Sequence, residues 1–184
     1  GATQEYALEF DPARYGGEYH EVSSPRMLAI ITSDILARRP FSLASVPPDG
    51  FIIEEPVAGG HNAPPRRKVL DESGQPVYTE KDYANLEKMR ELGFPFWTAG
   101  GYGSRDVLAR AKSIGAQGIQ AGSVFALSEE SGMGERLKRE MRDKIMAGND
   151  VEVYTDALAS PTGFPFKVGQ LDWTLSDKGN YELR

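Results

Sequence analysis

Short apolar runs alternate with amphipathic stretches along most of the chain. Met27-Leu28-Ala29-Ile30-Ile31-Thr32 is rich in β-branched residues and reads as a buried strand. Ser33 then caps a short predicted helix, Asp34 to Arg39, which Pro40 should stop. Phe51-Ile52-Ile53-Glu54 is a second strand, ending in Ala58-Gly59-Gly60-His61-Asn62. Residues 62–78, with Pro64, Pro65 and a turn at Ser73-Gly74, read as a long loop with room for a small hairpin. Thr79-Glu80-Lys81-Asp82 resembles a capping box, and Tyr83, Leu86, Met89 and Leu92 share one face of the helix it would open, with Gly93 at its end.

The rhythm continues. Pro95-Phe96-Trp97-Thr98-Ala99 is a third strand, and Ser104 caps a helix whose face is Val107, Leu108, Ala111 and Ile114. Gly118-Ile119-Gln120-Ala121 is a fourth strand. Met133, Leu137, Met141 and Ile145 mark a helix that ends near Gly148, followed by a short strand, Val151 to Thr155, and an irregular tail. Strand and helix alternate four times, which implies parallel strands joined by helical crossovers. The strands are near-continuous apolar runs, as strands buried on both faces should be. Residues 1–24 show no such period. Tyr6, Phe10, Tyr15 and Tyr19 are scattered among Gly and Pro, so 1–24 is expected to be an irregular lead-in and 25–184 the folded unit with its tail.

Composition narrows the chemistry. The net charge of -6 argues against nucleic acid or an anionic membrane as partner, because both need clustered Lys and Arg. There is no cysteine, which excludes disulfides, thiolate nucleophiles and Cys-ligated metal. With only His20 and His61 present, a His-rich metal site is excluded as well, and no metal is expected. No apolar run has the length of a membrane span and no signal-peptide core is visible, so the expected setting is cytoplasmic.

Sites in parallel βα folds form at the C-terminal ends of the strands. Three of the four strands end in small residues: Ala58-Gly59-Gly60, Ala99-Gly100-Gly101 and Ala121-Gly122-Ser123. Glycine there lets backbone N–H groups approach an anion without a Cβ in the way. One such pair is an ordinary tight turn; three at consecutive strand ends favour a phosphate site. His61 follows Gly59-Gly60, a context that suits proton transfer better than a plain loop position, whereas His20 reads as a surface residue. Of Glu54 and Glu55, adjacent on a strand, at most one points inward. Glu129 and Glu130 read as loop charges, and Arg66, Arg67 and Lys68 as a solvated loop that can attract anions. Phe96 and Trp97 read as barrel packing.

Together these motifs resemble one family. The run Gly50 to Pro65, containing Glu54-Glu55-Pro56-Val57-Ala58-Gly59-Gly60-His61-Asn62, is similar to the strand that carries the catalytic histidine in the nitronate monooxygenases, formerly 2-nitropropane dioxygenases. Phe96 to Tyr102 resembles their next strand and its phosphate loop, Gly115 to Phe125 their last strand, and Ala159 to Lys167 a tail found in a subgroup. The resemblance runs from roughly residue 25 to residue 175. It implies an α/β fold, the second half of a TIM-type (β/α)8 barrel with non-covalent FMN. It also implies that Glu54, Ala58, Gly59, Gly60, Gly100, Gly101, Gly122 and Ser123 contact the cofactor and that His61 is the catalytic base, acting on a nitroalkane or nitronate. The flavin and O₂ would supply the redox chemistry.

Some features depart from the family pattern. Glu54 stands where Gln is frequent, and a carboxylate there disfavours an anionic reduced flavin unless it is protonated or turned away. Ser123 stands where Thr is common, and Asn62-Ala63-Pro64-Pro65 marks a subgroup whose substrates need not be nitronates. A full barrel takes roughly 250 residues and eight strands. The expectation is therefore a fragment or half of an assembly, completed by an N-terminal half-barrel or a second copy of the chain. The competing readings are an FMN-dependent enoyl-thioester reductase, a flavin-free phosphate-sugar enzyme, and an inactive half-domain that binds a partner chain.

Overall fold

The computed structural model describes residues 25–43, 46–101, 103–149, 151, 153–156, 159–160 and 163–181. The expected lead-in, 1–24, and His20 with it, lie outside the described residues. Four parallel strands form one sheet in sequence order: β1 (Leu28–Ile31), β2 (Gly50–Glu54), β3 (Phe96–Ala99) and β4 (Gly118–Gln120). Between them run helices α1 (Asp34–Leu43), α2 (Leu86–Glu91) and α3 (Arg105–Ser113). After β4 come a short helix, α4 (Ser123–Ala126), then α5 (Glu135–Met146), an antiparallel pair β5 (Val153–Asp156) and β6 (Phe166–Gly169), and α6 (Lys178–Tyr181). Among the described residues no helix is long and apolar enough to cross a membrane.

Register sorts the strand residues onto two faces. Ile31 lies beside Ile53, Ile53 beside Thr98, and Thr98 beside Ile119, while Phe51 lies beside Phe96. This face carries the core. Phe51, Ile53 and Phe96 are buried there with Ala37 of α1, Met89 of α2 and Ala111 of α3. The other face holds Ile30, Ile52, Trp97 and, at the C-terminal end, Glu54, Ala99 and Gln120. Ile30 is 55% exposed there. Trp97 lies across the glycines on either side of it. A Cβ on Gly50 would come within 3.2 Å of its ring, and one on Gly118 within 2.9 Å. The indole needs two neighbours without side chains, so Gly50 and Gly118 are packing partners of Trp97 rather than turn residues.

Three expectations need correction. The first helix runs through Pro40 to Leu43; proline forfeits one N–H bond but its φ is already helical, so a tertiary contact can carry the helix past it. The single helix expected after Thr79 is two pieces, a 3-10 turn (Glu80–Asp82) and α2. Tyr83 is extended, and the Asn85 side chain accepts from the Lys88 amide at 3.0 Å, opening a fresh helix. Asn at an N-cap wins over the continuing apolar period. The short helix α4 begins directly after Gly122. The tail is also not irregular: β6 pairs with β5, and the Gln75 side-chain amide clasps Thr155 through both its amide and its carbonyl.

Candidate active site

The three glycine corners meet at the C-terminal ends of β2, β3 and β4. They line one cavity of about 450 Å³. All eight residues expected to contact a cofactor border it: Glu54, Ala58, Gly59, Gly60, Gly100, Gly101, Gly122 and Ser123. The loops fit closely. A Cβ on Gly59 would lie 3.0 Å from the Ser123 hydroxyl, and one on Gly100 3.0 Å from the Ala58 amide nitrogen. Gly100 and Gly101 both have left-handed backbone, φ 103° and 69°, which favours glycine at this corner. The amides of Gly101 and Ser123 have no hydrogen-bond partner among the described residues. Asn62, buried, donates to the Ala58 carbonyl at 3.0 Å and so fixes the loop that carries Gly59 and Gly60. Its own Oδ1 lacks a partner among the described residues.

His61 follows Gly60 in the chain and is exposed, but it is not among the residues that line the cavity. Its Nε2 lies 2.6 Å from the Ser160 hydroxyl, and its ring meets Phe166 edge-on at 4.8 Å between centroids. Backbone bonds hold the two segments together, from the Asn62 amide to the Pro165 carbonyl and from the Lys167 amide to the Gly60 carbonyl, each 2.8 Å. Glu54 sits in the cavity wall. Partial burial pushes its carboxyl above the ordinary value, and the nearby His61 pulls it back in part. Burial therefore favours the neutral acid, which eases the conflict between this carboxylate and a negatively charged ligand.

Other candidates lie outside the cavity. Glu129 serves through its backbone: its carbonyl, with those of Ser128 and Ser131, accepts from the buried Lys138 ammonium. Glu135 completes that cation's shell at 2.6 Å. The clip closes the loop between α4 and α5 behind Ser123. Arg66, Arg67 and Lys68 are exposed, as read from the sequence. No group of three or more metal-ligating side chains occurs among the described residues. Ser160 and Phe166, which touch His61, carried no local signal of that contact; the Ala159 to Lys167 run offered only its likeness to a subgroup tail.

The concavity suits a phosphate group. It has backbone donors with no partner among the described residues, small residues at the corners and, among its lining residues, no carboxylate except Glu54.

No family model matches the chain, and neither does any curated protein. Solved structures do. The M276A mutant of FabK from Thermotoga maritima is 25% identical over 76% of this chain and 38% of its own, with a TM-score of 0.51. FabK itself from that organism is 22% identical over 85% and 42%, with a TM-score of 0.56. Nitroalkane oxidase from Streptomyces ansochromogenes is 22% identical over 83% and 41%, with a TM-score of 0.57. The fold is part of a TIM-type barrel. The chain spans about two-fifths of each of these proteins.

Proposed function

We propose that this chain is the phosphate-binding and proton-transferring part of an FMN-dependent oxidoreductase of the nitronate monooxygenase type. The observation that carries the reading is the single cavity in which all three glycine corners and Glu54 converge, with His61 next to Gly60 in the chain. Gly100, Gly101, Gly122 and Ser123 would hold the FMN phosphate through backbone N–H groups and the Ser123 hydroxyl. FMN, when bound, supplies the electron transfer, with O₂ as acceptor. His61 takes the α-proton of a nitroalkane or steadies a nitronate. Ala99 and Gln120 form the floor on the inner sheet face. The likeness to nitroalkane oxidase supports this substrate class.

The likeness to FabK supports a second reading, reduction of an enoyl thioester on the same cavity. Either activity requires the rest of the barrel, because four strands cover neither their inner face nor their edges. An N-terminal half-barrel or a second copy of the chain would seal Ile30, Ile52 and Trp97. The test is to purify the chain with its complementary half and record its visible absorbance. A flavin spectrum bleached anaerobically by a nitronate supports the first reading. Bleaching by NAD(P)H alone supports the second. A colourless protein that takes up no added FMN ends both.

A further inference from the structure

We propose that Ser160 is the positioning residue for His61: its hydroxyl accepts the Nε2 proton, holds the imidazole in one tautomer and leaves Nδ1 as the nitrogen that receives the substrate proton. This rests on the base role given to His61 above. The two atoms are 2.6 Å apart, a full hydrogen bond. A serine and a histidine at that distance also describe a nucleophilic pair. Burial decides between the two. Ser160 is only 5% exposed, whereas His61 is exposed. A packed hydroxyl cannot reach a substrate carbon, but it can steady a ring whose other nitrogen is open.

The rest of the contact agrees. The Phe166 ring meets the imidazole at 87°, so the ring plane is held by an edge-on neighbour as well as by the hydroxyl. Ser160 and Phe166 come from one segment, stitched to Gly60 and Asn62 by the two backbone bonds on either side of His61. A neutral imidazole has one donor and one acceptor nitrogen, so with the proton on Nε2, as proposed, Nδ1 is the basic nitrogen.

The test uses the full chain with ¹⁵N-labelled imidazoles. It has two histidines, so His61→Gln identifies the His61 signals. The expected result is a proton on Nε2 protected from solvent exchange. It is lost in Ser160→Ala and kept in Ser160→Thr, which retains a hydroxyl. If Ala disturbs packing, Ser160→Cys fills the same space with a much weaker acceptor and should also lose the protection. In the flavin-loaded enzyme with its complementary half, Ser160→Ala should lower kcat on the order of 10-fold, part of the effect of the base itself. KM and flavin affinity should hold, and Ser160→Thr should recover the rate. A proton on Nδ1, or protection unchanged in Ser160→Ala and Ser160→Cys, overturns the proposal. A wild-type protein that shows the protected proton yet binds no flavin defeats the flavin reading and leaves the positioning contact standing.

Discussion

The two faces of the four-stranded sheet are made from alternate residues of the same strands, yet they end in opposite states. On the helix side Phe51 and Ile53 are 0% exposed and Phe96 is 1% exposed. On the other side Ile30 is 55% exposed, and Ile52 and Trp97 are only half-buried. The first face has found its partners within the chain: α1, α2 and α3 cover it. The second has apolar residues of similar kind and no cover among the described residues. The contrast shows a division of labour. The helix-covered face holds the chain together; on the proposed function, the open face with its glycine rim would take the ligand and a second half-barrel.

The contrast can be broken by substitution, beginning with the largest effect. Phe51→Ala should cost about 3–5 kcal/mol, because it empties a fully packed site. A denaturant titration reads this, and a loss under 1 kcal/mol would mean the core is not where the packing puts it. His61→Ala should lower turnover of the complete enzyme on the order of 10²–10⁴-fold while FMN stays bound; unchanged steady-state rates would remove it from the chemistry. Gly100→Ala adds a Cβ at a left-handed position, 3.0 Å from the Ala58 amide nitrogen. Strain of about 1–3 kcal/mol should weaken FMN on the order of 10–100-fold. Fluorescence titration with FMN checks this, and wild-type affinity would place the phosphate elsewhere.

Two smaller effects sharpen the comparison. Ile30→Ser should leave the stability of the chain alone within about 0.5 kcal/mol, yet weaken its association with the complementary half. Equal association by analytical ultracentrifugation would show that the inner face is not the seam. Glu54 adds a pH dependence. Its folded-state pKa is raised above the ordinary 4.5. The folded protein therefore holds this proton more tightly than the unfolded chain. The contribution is full below the ordinary value and is lost as pH rises through the raised one. Glu54→Gln should remove that decline, so wild type and variant should converge in acid and separate toward neutral pH. Parallel stability curves would mean that Glu54 is not desolvated.

Much of this was readable along the chain. Strands with apolar residues on both faces read as contiguous apolar runs, so Leu28–Ile31, Gly50–Glu54 and Phe96–Ala99 stand out. Helix ends were readable where one residue decides them: Ser104 accepts from the Val107 amide, and Gly93, Gly115 and Gly148 take positive φ at three helix stops. The break at Asn85 was not, because a cap inside an apolar period looks like a surface position of one longer helix. Strand β6 was hidden because Phe166–Gly169 is four residues long and gains its identity from pairing with β5.

The amino-acid order by itself determined the strand–helix alternation, the three small-residue corners and the placing of a histidine beside one of them, because each depends on residues a few positions apart. Tertiary structure alone decided which side of the sheet the helices cover, since strands apolar on both sides carry no mark of the outer one. It also decided that Ser160, 99 residues away, closes on His61. Contacts at that separation follow from where the tail packs, and no local pattern encodes them.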